Sequence, residues 1–132
     1  MICPSSLRLN WQQEILNWLD CYLKKSEVQV YSKGGTPIRE NTKVLIISYD
    51  LAWKMKEMLE PFRIVIADEA HYLKNSGNKR SDNLVPFLST RKRIILLSGT
   101  PALAKPKELY NLLSIIRPDI FINFKEYGNR YC

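Results

Sequence analysis

Two adjacent carboxylates at the end of an apolar run are the residues of this sequence best suited to chemistry. Ile64-Val65-Ile66-Ala67 delivers Asp68 and Glu69, with Ala70 and His71 next. An aspartate leaving a buried strand can hold Mg2+ through its waters, and a glutamate beside it can orient and deprotonate the water that attacks a terminal phosphorus. On that chemistry Asp68 is assigned to the metal and Glu69 to the attacking water, with His71 in reach of the γ-phosphate and of a neighbouring loop. A bare Asp-Glu pair is also an ordinary cap on the turn after a strand, and short motifs match by chance. A second cluster shifts that balance. The run Ile94-Ile95-Leu96-Leu97 ends in Ser98-Gly99-Thr100-Pro101, which alone is turn chemistry but here puts hydroxyls at the end of the next apolar strand.

Positioning such groups takes regular elements. Val44 to Ile47, Ile64 to Ala67 and Ile94 to Leu97 are apolar at every position, as strands buried on both faces are. Val28 to Tyr31 is a further short strand, and Met1 to Ser6 reads as the end of a buried strand running into a loop. From about Asn10, a plausible N-cap, Trp11, Ile15, Trp18, Leu19 and Tyr22 recur at spacings of three and four, predicting a helix with that face in the core. Further helices are predicted over Asp50 to Leu59, ended by Pro61, over Ser81 to Leu88, over Lys107 to Ile116 behind Pro106, and over Phe124 to Tyr131. Lys33 to Pro37 is a surface loop. Strands alternating with helices imply an open α/β domain, a mainly parallel sheet with helices on both faces. In such sheets ligands sit beyond the carboxyl ends of the strands, where Pro4 to Leu7, Asp68 to His71 and Ser98 to Pro101 fall.

Composition narrows the class without naming a partner. The 132 residues are 45% hydrophobic and 25% charged, the balance of one folded domain. A net charge of +7 and a pI near 9.4 favour a polyanionic partner, although Lys24-Lys25, Lys54-Met55-Lys56 and Arg91-Lys92-Arg93 read equally as solvated surface. Three cysteines without a CxxC pair and a single histidine exclude a soft zinc site and point to a reducing, intracellular setting. No apolar run approaches the roughly 18 residues of a membrane span. Trp11 and Trp18 read as core and Trp53 as partly exposed, although all three could stack on bases.

The order of the two polar clusters carries a resemblance. DEAH followed by Ser-Gly-Thr-Pro, each straight after an apolar strand, is the arrangement of motifs II and III in superfamily-2 helicases. The chain resembles the first motor lobe of the Swi/Snf-related ATPases, and among them the annealing-helicase branch of HARP-like and zinc-finger Ran-binding-domain-containing translocases. Ile2-Cys3-Pro4-Ser5-Ser6-Leu7-Arg8 with Trp11 looks like motif Ia of that branch, and Leu73-Lys74-Asn75 is the tail usual after the box. Ser98 to Leu103 with Pro106, Glu108 and Leu109, and Tyr127 with Arg130-Tyr131-Cys132, resemble the branch's sequence after motif III. Ala70 gives the generic box where the branch often has serine.

The resemblance implies a RecA-like ATP-binding lobe over residues 1–132, with ATP and Mg2+ as cofactors, and duplex or forked DNA as partner. It further implies a nuclear setting in DNA repair at replication forks, with replication or repair proteins reached through regions outside this chain. It places Asp68 and Glu69 on the nucleotide and Glu69, His71, Ser98 and Thr100 in catalysis. On DNA it nominates Pro4, Ser5, Ser6 and Arg8, with Ser48-Tyr49-Asp50 at the position of motif Ib. Backbone amides and hydroxyls of such loops can fix a phosphate backbone without reading sequence. Serines that merely cap loops are the plain alternative. Lys74 fits either DNA contact or loop packing. No GxxxxGK[ST] phosphate loop occurs, Gly34-Gly35 having neither the spacing nor the ending. The resemblance puts that loop upstream of residue 1 and a second lobe downstream, so the chain is expected to be a partial lobe that hydrolyses ATP poorly alone. Two other classes stay open, a non-catalytic DNA-binding scaffold and an RNA helicase, the latter disfavoured by Ser-Gly-Thr in place of Ser-Ala-Thr.

Overall fold

The apolar runs become short strands, and each strand pairing below is parallel. The computed structural model describes residues 1–101 and 105–132. Its strands are β1 (Ile2–Cys3), β2 (Val28–Tyr31), β3 (Val44–Ser48), β4 (Ile64–Ala67) and β5 (Arg93–Leu96). Where composition pointed to one compact unit, the chain divides into two, Met1–Glu60 and Pro61–Cys132.

In the first unit β2 and β1 flank β3, with Val28 beside Val44 and Ile2 beside Ile47. Side chains alternate across a strand, so one face of this sheet carries Cys3, Val28 and Ile46. These pack against Leu7, Trp11 and Ile15, the latter two in helix α1 (Arg8–Trp18). Tyr31 points the other way, and its hydroxyl meets Met58 Sδ at 3.7 Å in the 3-10 turn Lys56–Leu59. Both faces are thus covered, as the fold class requires. Fully burying one such Val or Ile stabilises by about 1.5–3 kcal/mol, so these few residues carry much of the unit.

Three expectations need correction here. Helix α1 starts at Arg8 rather than after Asn10, because the 3-10 turn Ser5–Leu7 runs straight into it without a side-chain cap. Its expected core face is also too long: Trp18 and Tyr22 are 78% and 79% exposed, and the Trp18 indole donates to Glu14 Oε2 on the solvent side. The helix expected to Leu59 stops sooner, as α2 (Tyr49–Lys54), where Met55 leaves helical geometry at ψ 24° before the 3-10 turn. Trp53 is partly buried, under the Lys54 ammonium. Buried Gln29 secures the loop before β3. Its amide donates to Pro37 O and its oxygen accepts from Arg39 N and Thr42 Oγ1, while the Arg39 guanidinium donates to Val28 O.

In the second unit β4 and β5 run side by side from Ile64 beside Arg93 to Ala67 beside Leu96. Helix α3 (Lys79–Ser89) is capped by Asn78, whose side chain accepts from Ser81 N. Helix α4 (Tyr110–Ile116) follows the 3-10 turn Pro106–Leu109, and α5 (Phe124–Tyr131) is capped by Asn123. Burial pushes the Tyr127 phenol up, and that buried hydroxyl donates to Pro106 O at 2.7 Å. The expectation that the last two apolar runs are buried at every position on both faces fails. Ile64 and Ile95 are 58% and 50% exposed, because α3 and α4 pack chiefly on each other and on the turn after β4. Among the described residues no helix is long and apolar enough to cross a membrane.

Candidate functional site

The carboxylate pair sits where β4 ends and a 3-10 turn, Ala70–Leu73, begins. Between them Glu69 adopts φ 51° and ψ 47°, the only left-handed non-glycine backbone among the described residues. That conformation costs an L-residue roughly 1–2 kcal/mol, and the neighbouring side chain supports it: Asp68 Oδ1 accepts from Glu69 N at 2.9 Å. The reversal turns the chain back at once, so that Ala70 N donates to Leu97 O at 2.8 Å while Leu97 N donates to Ala67 O at 2.8 Å. The exits of β4 and β5 are in this way stitched to each other by backbone.

Side chains repeat the stitch. His71 Nδ1 lies 3.1 Å from Glu69 Oε2 and 3.1 Å from Ser98 Oγ. An ionised carboxylate only accepts hydrogen bonds, so this approach is favourable only if Nδ1 carries the hydrogen, which then bridges Oε2 and Oγ. Ser98 Oγ also accepts from Thr100 N at 3.3 Å. Of the residues expected in catalysis, Glu69, His71, Ser98 and Thr100 therefore fall in one bonded cluster, with Asp68 attached through the Glu69 amide. The Glu69 side chain is 40% exposed, open enough to meet a ligand. Ala102 and Leu103, part of the resemblance after Ser98, lie outside the described residues.

The donor set fits Mg2+, a hard cation that keeps several waters and takes one or two carboxylates with phosphate oxygens. Among the described residues no group of three or more His, Cys, Asp or Glu could enclose a metal ion. The available arrangement is a single carboxylate, Asp68, whose Oδ1 is oriented by the next amide.

The residues expected on DNA divide differently. Ser5 and Ser6 are exposed in the turn after β1. Arg8 is held by that same turn: Nε donates to Ser5 O, Nη2 to Ser5 Oγ, and Nη1 to Tyr31 O at 2.7 Å. Pro4 opens the turn, its carbonyl accepting from Leu7 N. Ser48 and Tyr49 are 5% and 2% exposed, and Ser48 Oγ caps α2 by accepting from Leu51 N. Both side chains are thus turned into the unit rather than presented at its surface as those of Ser5 and Ser6 are.

Lys74, which fitted two roles, forms an ion pair with Glu108, Nζ to Oε2 at 3.3 Å, with both side chains under a fifth exposed. Three residues beyond it in the helix direction, a contact set appears that sequence reading missed. Asn111 Nδ2 donates to Leu73 O at 2.8 Å and to Lys74 O at 3.3 Å, and Oδ1 accepts from Ser76 Oγ. Ser81 Oγ donates to Leu73 O as well. No motif announces Asn111. Its signal is only that it is a polar residue, 6% exposed, in the mostly apolar helix α4.

Comparison with known proteins places this geometry. A family model, the SNF2-related domain, matches residues 1–132. The chain is 40% identical over its whole length to the Bos taurus SWI/SNF-related matrix-associated actin-dependent regulator of chromatin subfamily A-like protein 1, covering 14% of that protein. It is 37% identical, again over its whole length, to the Bos taurus DNA annealing helicase and endonuclease ZRANB3, covering 13% of it. The chain thus spans about a seventh of the length of these curated relatives. A Sulfolobus solfataricus SWI2/SNF2 ATPase core, solved in complex with dsDNA, shares its fold at a TM-score of 0.77 and 22% identity, over 97% of this chain and 26% of that one. Open parallel α/β architecture, the Asp-Glu-Ala-His turn and the full-length family match agree, and the chain belongs to the SNF2-related domain family.

Proposed function

We propose that this chain is the carboxylate-bearing part of a DNA-dependent ATPase motor, coupling ATP hydrolysis to movement on duplex or forked DNA in the manner of an annealing helicase. The observation that carries the reading is the bonded cluster Glu69–His71–Ser98 across two strand exits, in a chain of the SNF2-related family. Asp68 would hold Mg2+, which would supply charge neutralisation at the phosphate oxygens. Glu69 orients the attacking water and accepts its proton at a carboxylate oxygen. His71, bridging that carboxylate and Ser98, carries any displacement of Glu69 to the loop after β5, where the Thr100 amide holds on to the same hydroxyl. Ser5 and Ser6 offer hydroxyls and amides to the DNA backbone, and Arg8 anchors their turn. The reading requires a phosphate-gripping loop and a second lobe in the whole protein, and sets its work with DNA in the nucleus.

The test is ATP hydrolysis by the full-length protein with and without forked DNA, beside Glu69→Gln. DNA should raise the rate, and Glu69→Gln should lower kcat by about 10² to 10⁴ while DNA is still bound, the scale of a lost general base. A protein that binds DNA and never hydrolyses ATP would instead be a scaffold.

A further inference from the structure

Asn111 is a buried amide with all its bonds made toward one short segment. Its two amide hydrogens go to the successive carbonyls of Leu73 and Lys74, and its oxygen takes the Ser76 hydroxyl. A leucine would serve α4 as well for packing, so the amide's distinctive contribution is to those carbonyls, which would otherwise be without this partner. Next to it, Lys74 and Glu108 form an ion pair with side chains only 17% and 19% exposed. Both contacts reach the peptide immediately after the carboxylate turn.

Their position closes a ring. From Ser98 the chain runs on to Glu108; Glu108 is paired with Lys74; Lys74 is the C-cap of the turn that contains His71; and His71 returns to Ser98. Ser98 is in this way fastened to the Ala70–Leu73 turn through His71, and Glu108 to its C-cap through Lys74.

We propose that Asn111 and the Lys74–Glu108 pair are positioning residues for the proposed hydrolytic site, holding the peptide after the carboxylate turn so that Glu69 and His71 stay in register with Ser98. They touch no reacting atom. Their effect comes through the orientation of Glu69, whose left-handed backbone is sustained only by what surrounds it. The inference rests on the ATPase reading above and adds to it a second support, independent of the Asp68 contact.

The experiment uses the full-length protein with saturating forked DNA and three variants: Asn111→Leu, Lys74→Glu, and Lys74→Glu combined with Glu108→Lys. A misplacement near 1 Å costs up to about a hundredfold, so Asn111→Leu should lower kcat on the order of ten- to a hundredfold and leave KM for ATP within about twofold. Amide exchange over residues 70–76 should speed up, while that over residues 44–48 stays as in the wild type. Lys74→Glu alone should lower kcat, and adding Glu108→Lys should restore it to within about threefold of the wild type, a rescue that mere loss of packing does not give. A folded Asn111→Leu protein with wild-type kcat and wild-type exchange overturns the proposal. If Asn111→Leu fails to fold, the swapped pair decides: no rescue overturns it. A wild-type protein that hydrolyses no ATP on DNA overturns the ATPase reading itself, a result distinct from active protein with indifferent variants.

Discussion

The two units finish their parallel strands in polar loops, and they use those polar groups for different ends. In the first unit the groups are tied to local backbone: Ser48 caps α2, and Arg8 binds the Ser5 turn to the end of β2. Ser5 and Ser6 are left exposed over a sheet whose interior residues, Cys3 and Ile46, are fully buried. In the second unit the groups are tied to one another across strands, with Glu69, His71 and Ser98 sharing a hydrogen bond and Glu69 held in a conformation that L-residues avoid. A rigid, relaxed loop suits fixing a polymer's position. A strained, cross-linked one suits coupling a reaction at one group to movement in its neighbour.

That contrast can be broken at its foundation first. Ile46→Ala, at 0% exposure in β3, should destabilise the first unit by about 2–5 kcal/mol, whereas Ile95→Ala, 50% exposed in β5, should cost under about 1 kcal/mol; denaturant midpoints of the two variants give the comparison. Equal costs would mean that the second unit's strands are as enclosed as the first's. A smaller effect is expected from Arg8→Met, which removes three hydrogen bonds from a partly exposed turn and should cost about 1–2 kcal/mol. Its DNA binding is the sharper test: affinity should fall while the slope of log K against log salt holds, since losing a direct phosphate contact would reduce that slope by about 0.9. The smallest effect carries the opposite sign. Glu69→Gly should stabilise the protein by roughly 0.5–1 kcal/mol in thermal melts by relieving the left-handed backbone, while abolishing hydrolysis. A destabilised Glu69→Gly would show that the carboxylate's contact with His71 outweighs the strain.

Much of this arrangement is legible in the sequence. The strands at Val28–Tyr31, Val44–Ser48 and Ile64–Ala67 and the helix at Phe124–Tyr131 lie where apolar runs and turn residues put them. The juxtaposition of Asp68 to His71 with Ser98 and Thr100 follows from their common place at parallel strand exits. What stayed hidden has physical reasons. Helical period marks a face but not what covers it, so Trp18 and Tyr22 counted as core while standing in solvent. A run such as Ile94 to Leu97 is apolar whether or not a helix lies over each side. Burial of Ser48 and Tyr49 depends on the sheet around them, which a motif position does not report. The left-handed Glu69 runs against a preference that favours glycine or asparagine there, and Asn111 is a polar letter in α4 whose side-chain partners are distant in sequence.

The arginine that holds the loop before β3 has a consequence of another kind. Strand β2 lies at the flank of its sheet, and with Glu27 O accepting from Lys43 N toward β3, the alternating backbone turns the Val28 carbonyl outward. An outward carbonyl on a flanking strand is where a second molecule can add a strand of its own and begin to aggregate. Arg39 occupies that carbonyl with Nη2 at 3.2 Å. A bulky charge on that acceptor hinders the pairing of a further strand there, at the same atoms through which Arg39 steadies the loop.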